Sequence, residues 1–210
     1  MAEKGGIHKI LTFAPVYSFY QWMVGAEKMR RIFVNEYIKP AQNEKILDLG
    51  CGTADICNHF PKHAEYHGVD PNQSYIAHAK ARYGSNAKFW IAGVNENEGL
   101  TLPSEMPVYN CIINGGVLHH LNDKEADLLL KTARKLCEAG NGRFVVIDNC
   151  YTENQGRIAK WLADKDRGAY MRFSTWHETK LREYFSHVQS DIRTDLYRIP
   201  VTMFAAVCTL

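Results

Sequence analysis

The sequence predicts an α/β fold: a seven-stranded, mostly parallel, doubly wound sheet with an antiparallel last strand, preceded by N-terminal helices and carrying a helical insertion after strand five. Three observations point there. The apolar run Lys45-Ile46-Leu47-Asp48-Leu49 passes into the turn Gly50-Cys51-Gly52 and then a helical pattern, as a buried parallel strand does when it feeds a ligand loop. A second acidic residue, Asp70 in Gly68-Val69-Asp70-Pro71-Asn72, ends the next apolar run about 20 residues on, where a carboxylate can accept both ribose hydroxyls of an adenosine. Apolar runs then alternate with helical patterns, and a short turn joins the last two runs, which makes them an antiparallel pair.

The elements follow in order. Before the first strand, Pro15 can open a helix and Pro40 closes the segment. Between them Val16, Phe19, Tyr20, Met23, Val24, Ile32, Phe33 and Tyr37 recur at helical spacing, with Gly25 as a break between two helices. Residues 45–49 are strand one, and Thr53 to Phe60 reads as the first crossover helix, its free N–H groups facing the ligand side. Strand two spans about 65–69, and a helix over 73–82, favoured by Ala77, Ala79 and Ala81, ends near Gly84. Residues 87–92 are strand three, and 95–107, with two prolines and three glutamates, read as a polar loop in place of a helix. Strand four is 109–114. Asn122 and Asp123 cap a helix over 123–138 that stops at Gly140, and strand five is 143–148. Residues 149–175 interrupt the alternation with a helical pattern at 156–162. His177 to Phe185 is the last crossover helix, and 187–193 and 200–209 are the final strands.

Two ligand classes use such a glycine turn. The dinucleotide fingerprint needs a third glycine three residues after the second, and Asp55 stands there; Asp48 would also repel a pyrophosphate. Asp48 suits a ligand that carries a cation, an ammonium or a sulfonium. Asp48-Leu49-Gly50-Cys51-Gly52-Thr53 followed by Val69-Asp70 resembles the first two motifs of class I, Rossmann-like S-adenosylmethionine-dependent methyltransferases, with Ala54 where the family often has a third glycine. The ending of strand four, Gly115-Gly116-Val117-Leu118-His119-His120-Leu121, resembles the corresponding motif of small-molecule members. The resemblance covers about 42–148 strongly and 176–209 weakly.

That resemblance implies S-adenosyl-L-methionine as cofactor and a division into an N-terminal helical lid, 1–41, and a Rossmann-like domain, 42–210, whose insertion at about 149–175 caps the substrate. It implies cofactor contacts at Asp48, Gly50, Cys51, Gly52, Asp70 and Pro71. It further implies contacts at Gly93 and Val94 near the adenine, at Asn114 and Gly115 beneath the methionine part, and from the lid at Tyr17 and Gln21, with Tyr20 a further candidate. Family members usually place an acidic residue just after strand three; here Ala92-Gly93-Val94-Asn95 has none, which leaves the adenine to backbone groups or Asn95.

S-adenosylmethionine supplies its own electrophile, so the protein mainly aligns nucleophile, methyl and sulfur, and a base is needed only for a nucleophile that keeps its proton. His119, His120 and Asp148 lie at the carboxyl ends of strands four and five and are the candidate catalytic groups; a helix cap, a core position or a loop hydrogen bond are their bland alternatives. Tyr170 and His177 are weaker candidates for a base. Arg157, Arg167 and Arg172, with Tyr170, are the candidate substrate-binding set, since arginine forks bind carboxylate or phosphate; pairing with Asp164 and Asp166 is the alternative.

Composition narrows the functions further. Net charge is +2 with mixed signs and no basic stripe, which disfavours nucleic acid. Six cysteines without a C-x-x-C pair, and nine histidines without ligand spacing, give neither a disulfide framework nor a metal site. With no apolar run long enough to span a bilayer and no secretory leader, a cytoplasmic enzyme acting on a small molecule is expected. The aromatic-rich N-terminal segment has packing on the sheet as its plain reading and rest on a membrane surface as a remote one. The competing readings are a non-catalytic cofactor-binding protein and a nicotinamide oxidoreductase.

Overall fold

A computed structural model describes residues 25–95, 99–166 and 168–210. Tyr17, Tyr20, Gln21 and Arg167, with the rest of the expected lid up to residue 24, lie outside the described residues.

Seven strands form one sheet: β1 (Lys45–Leu49), β2 (Glu65–Asp70), β3 (Ala87–Ile91), β4 (Cys111–Gly115), β5 (Arg143–Asn149), β6 (His187–Arg193) and β7 (Met203–Thr209). Their order is β3-β2-β1-β4-β5-β7-β6, and β7 alone runs antiparallel to its neighbours. The strand order reverses between β1 and β4, and in open sheets ligands bind in the crevice at such a point. Asp48 stands opposite Gly68 on β2 and Ile113 on β4.

Both faces of the sheet are buried, which is why β1, β4 and β5 read as nearly continuous apolar runs. One face carries Ile46, Tyr66, Ile113, Val145 and Ile147 and packs on α1 (Ala26–Ile32) and α2 (Gln73–Tyr83). The other carries Leu47, Val69, Ile112, Phe144 and Phe204 and packs on α3 (Asp123–Gly140) and α5 (Ser174–Tyr184). Asn122 caps α3 with a reciprocal Glu125 bond, as its sequence promised, and Asn72 caps α2. At the amino ends of the strands Arg143 donates to both carboxylate oxygens of Glu44 and to the Ile38 carbonyl, tying β5 to β1 far from the ligand side.

The sequence reading needs correction at four places. The helix expected over Thr53–Phe60 is a single 3₁₀ turn, Asp55–His59. Ala54 sits in the left-handed region at φ 58°, and Phe60, held extended by the following Pro61, ends the turn. Ala54 therefore occupies a position a glycine would suit for backbone conformation, not only for close packing. The polar loop 95–107 contains a small antiparallel ladder, Val94–Asn95 with Gly99–Leu100. β7 begins at Met203, opposite the last strand residues of its neighbours, Asn149 and Arg193, and not at Pro200. In the N-terminal segment the break does fall at Gly25, φ 86°, but α1 then widens over Phe33–Ile38, where Lys39 N–H reaches the Val34 carbonyl five residues back. Among the described residues no helix is long and apolar enough to cross a membrane.

Candidate active site

The site is built from the carboxyl ends of β1, β2 and β4. The loop after β1 is pinned to β2: the Gly50 and Cys51 amides both donate to the Val69 carbonyl, at 2.8 and 3.0 Å. Gly50 turns the chain at φ 89°, and a Cβ there would lie 2.5 Å from a Val117 methyl, so the loop lies directly against the turn after β4. Asp70 fixes the loop's other end, accepting from Gly52 N–H at 2.9 Å and Asn72 N–H at 2.8 Å. Burial raises the Asp70 pKa, and those two amides oppose the rise. Gly93 packs so closely on Pro71 that a Cβ would come within 2.7 Å of its ring, and Ala92 N–H donates to the Asp70 carbonyl, so Asp70, Pro71, Gly93 and Val94 are neighbours.

Asp48 is buried at the end of β1, only 5% exposed. Burial pushes its pKa up to about 7, Asp70 adds to the rise, and a 2.6 Å hydrogen bond from the Tyr66 hydroxyl works against it. Tyr66, a neighbour of Asp48, is a residue the sequence reading passed over. It stands diagonally across from Asp48, two residues before Gly68, so strand alternation puts both on one face. The Cys51 thiol is held protonated by burial and the nearby carboxylates and is no nucleophile. Asn114, fully buried on β4, donates to the Leu49 carbonyl at 2.6 Å, and among the described residues its Oδ1 has no partner; Gly115 follows it at the surface.

These groups fit a cationic nucleoside. A Cβ on Gly52 would meet nothing within 4 Å, so space lies open over the loop beside Asp70. Asn114 holds a spare buried acceptor, and Asp48 is a carboxyl that a cation would restore to its charged form. A pyrophosphate at the same place would meet Asp48, which disagrees with a dinucleotide.

The candidate catalytic groups are placed differently from what a free base requires. His119 is buried, 5% exposed, with Nδ1 on Asp148 and Nε2 3.2 Å from Asp166 Oδ1; its own N–H donates to the other Asp148 oxygen at 2.9 Å. Burial disfavours the imidazolium, yet the two carboxylates outweigh it and raise the His119 pKa to about 10. At neutral pH His119 is a clamped cation with both nitrogens engaged, and Asp148 is its partner. Asp166, which the sequence reading took only as a partner for arginine, carries the insertion onto this pair, and Tyr170 N–H donates to the His119 carbonyl at 3.0 Å. His120 is exposed, its ring 4.1 Å from that of His119.

Arg172 corrects the arginine reading. Its guanidinium donates to the Leu118 and Leu121 carbonyls at 2.9 and 2.7 Å, pairs with Asp123, and stacks 4.0 Å over Trp176. It bolts the insertion to the turn after β4 and is occupied by the fold. Arg157 opens α4 (Arg157–Asp164) in an exposed position, and Tyr170 is 43% exposed on the cap. His177 is buried and stacked on Phe204.

The fold is the Rossmann-like one of solved class I S-adenosylmethionine-dependent methyltransferases. Residues 47–144, from β1 into β5, match the family model described as "Methyltransferase domain". No curated protein matches the sequence significantly. Solved structures give the same fold at low identity. A TehB-like SAM-dependent methyltransferase from Corynebacterium glutamicum is 15% identical over 86% of this chain and 86% of its own, with TM-score 0.58. The methyltransferase domain of bacterial CtHen1-CN is 17% identical over 88% of this chain and 99% of its own, TM-score 0.64. A chain of the complex between the Haloferax volcanii Trm112 methyltransferase activator and the putative methyltransferase is 12% identical over 99% of both chains, TM-score 0.69.

Proposed function

We propose that this enzyme transfers a methyl group to a small metabolite that lies between the carboxyl end of β4 and the cap formed by residues 149–175. The observation that carries the reading is the raised Asp48 carboxyl beside Asp70, a pair suited to a nucleoside bearing a positive charge and unsuited to a pyrophosphate. When bound, S-adenosylmethionine supplies the electrophilic methyl. The chain's part is to hold and exclude. Asp70, already fixed by two backbone amides, offers its remaining acceptor capacity to ribose hydroxyls. Gly93 and Val94, beside Pro71, give backbone groups to the adenine in place of the carboxylate absent there. Asp48 and the free Asn114 oxygen face the cationic end. Gly50, Cys51 and Gly52 let the ligand approach the backbone.

The Asp166–His119–Asp148 array acts as a latch that keeps the cap on the sheet and water out, a positioning role and not proton abstraction. His120 lies at the surface of that turn, and Tyr17 and Gln21 of the lid are proposed to meet the methionine end. With Arg172 occupied by the fold, an anionic acceptor would be held by Arg167.

The test is formation of S-adenosylhomocysteine from a panel of small hydroxyl, amine and carbon acceptors, alongside calorimetric titration with S-adenosylmethionine and NAD. Turnover of one acceptor class with binding of the sulfonium alone is expected; NAD binding would overturn the assignment. The commitment of both His119 nitrogens favours one competing reading, a cofactor-binding protein without turnover, and tight binding with no product from any acceptor would establish it.

A further inference from the structure

We propose that the outer face of α4 docks on an anionic lipid surface. Ile158 is 66% exposed and Trp161 58% exposed on this eight-residue helix, while Ala159 faces the protein. Arg157, Trp161 and Lys165 follow one another at four-residue spacing, so two exposed cations share the face that carries Trp161 and Ile158. The helix's one carboxylate, Asp164, is engaged: it accepts from the Tyr151 hydroxyl at 2.7 Å and pairs with Lys160. Lys160 lies 5.4 Å over the Tyr151 ring, and that ring meets Phe173, 51% exposed, at 5.6 Å, which extends the apolar surface across the cap.

An aromatic and an aliphatic side chain flanked by cations, with the one carboxylate of the helix paired, is the composition of a helix that lies in a lipid headgroup layer. A second copy of this chain is a poor occupant, because a two-fold interface would set Arg157 and Lys165 against their own counterparts. Docking would present the cap, tied through Asp166 and Tyr170 to His119, toward the bilayer. An acceptor dissolved in the membrane would then reach the carboxyl end of the sheet without crossing water. The docking rests on α4 and the adjoining Tyr151 and Phe173 and does not depend on the methyl-transfer reading.

The experiment is sedimentation of the full chain with vesicles of phosphatidylcholine alone and with added phosphatidylglycerol. We expect binding to the anionic vesicles about tenfold tighter than to neutral ones, weakening as salt rises. The double variant Ile158→Glu/Trp161→Glu should lose that binding about tenfold or more while holding S-adenosylmethionine as the parent does, which shows that it is folded. Lys165→Glu, a single exposed change, should weaken anionic binding about fivefold and leave the apolar contact intact. The proposal is overturned if the parent stays in the supernatant with anionic vesicles, or if both variants sediment as the parent does. It is also overturned if light scattering shows a parent dimer that the double variant dissociates, or if the parent binds immobilised polyglutamate and no vesicle.

Discussion

Replacing Asp48 by asparagine separates the cost of the buried carboxyl from its use. The Asp48 side chain titrates near pH 7 in the folded protein, against 3.8 for a free aspartate, because it is buried, because Asp70 is close, and despite the Tyr66 hydrogen bond. The sign follows from linkage. Below about pH 4 the carboxyl is protonated in folded and unfolded chains alike, and nothing is lost. As pH rises toward 7 the unfolded chain ionises and the folded one does not, so stability falls, by about 4 kcal/mol once pH exceeds 7. Asparagine keeps an acceptor for Tyr66 and carries no charge. In thermal melts without ligand, Asp48→Asn should therefore be several degrees more stable than the parent at pH 8, with the gain vanishing near pH 4. Binding should run the other way. A cationic ligand favours the ionised carboxyl, so calorimetry should show the parent's affinity for S-adenosylmethionine rising about tenfold from pH 6 to pH 8. The asparagine variant, and the parent with uncharged methylthioadenosine, should show no such rise. A variant no more stable than the parent at pH 8, with an unchanged affinity profile, would refute the assignment of Asp48.

Three further outcomes follow from the same contacts. Tyr66→Phe removes the one hydrogen bond that favours ionised Asp48; the pH at which S-adenosylmethionine affinity rises should move upward, with affinity at pH 7 reduced several-fold in calorimetry. Asp166→Asn leaves His119 one carboxylate instead of two. His119 has a raised folded pKa, so its contribution is complete below about 6.5 and is lost as pH climbs toward 10; the parent's melting temperature should fall over pH 7–10 and the variant's should start lower and fall less. Arg172→Ala should cost about 2–3 kcal/mol in denaturant unfolding, from two carbonyl hydrogen bonds and the Trp176 stack, while the KM for the methyl acceptor is unchanged.

What could be read from sequence was what local pattern controls. The run ending at Leu49, the turn at Gly50-Cys51-Gly52 and the carboxylate at Asp70 carry their geometry in neighbouring residues, and the Asn122–Glu125 cap is complete within four positions. The β6–β7 pairing followed from a short connection. The crossover after β1 was misread because Ala54 accepts a left-handed conformation that its residue type disfavours and because Pro61 arrives too soon for a full helix. Arg172 was misread for a different reason. The groups that hold Arg172 are the carbonyls of Leu118 and Leu121, about fifty residues earlier, and a carbonyl has no signature in a sequence. His119 looked like a base because its class titrates near neutrality; only the fold reveals that Asp148 and Asp166 take both of its nitrogens. Tyr66 could have been found, since its place two residues before Gly68 puts it beside Asp48 once β1 and β2 are paired.

The central claim is that neighbouring carboxylates at the ends of β1 and β2 hold a positively charged nucleoside. Calorimetric titration of Asp70→Ala with S-adenosylmethionine at pH 8 tests it most directly. Two hydrogen bonds to a carboxylate are at stake, so the account predicts an affinity loss of about a hundredfold or more in a protein that still unfolds cooperatively. An affinity equal to the parent's would contradict it.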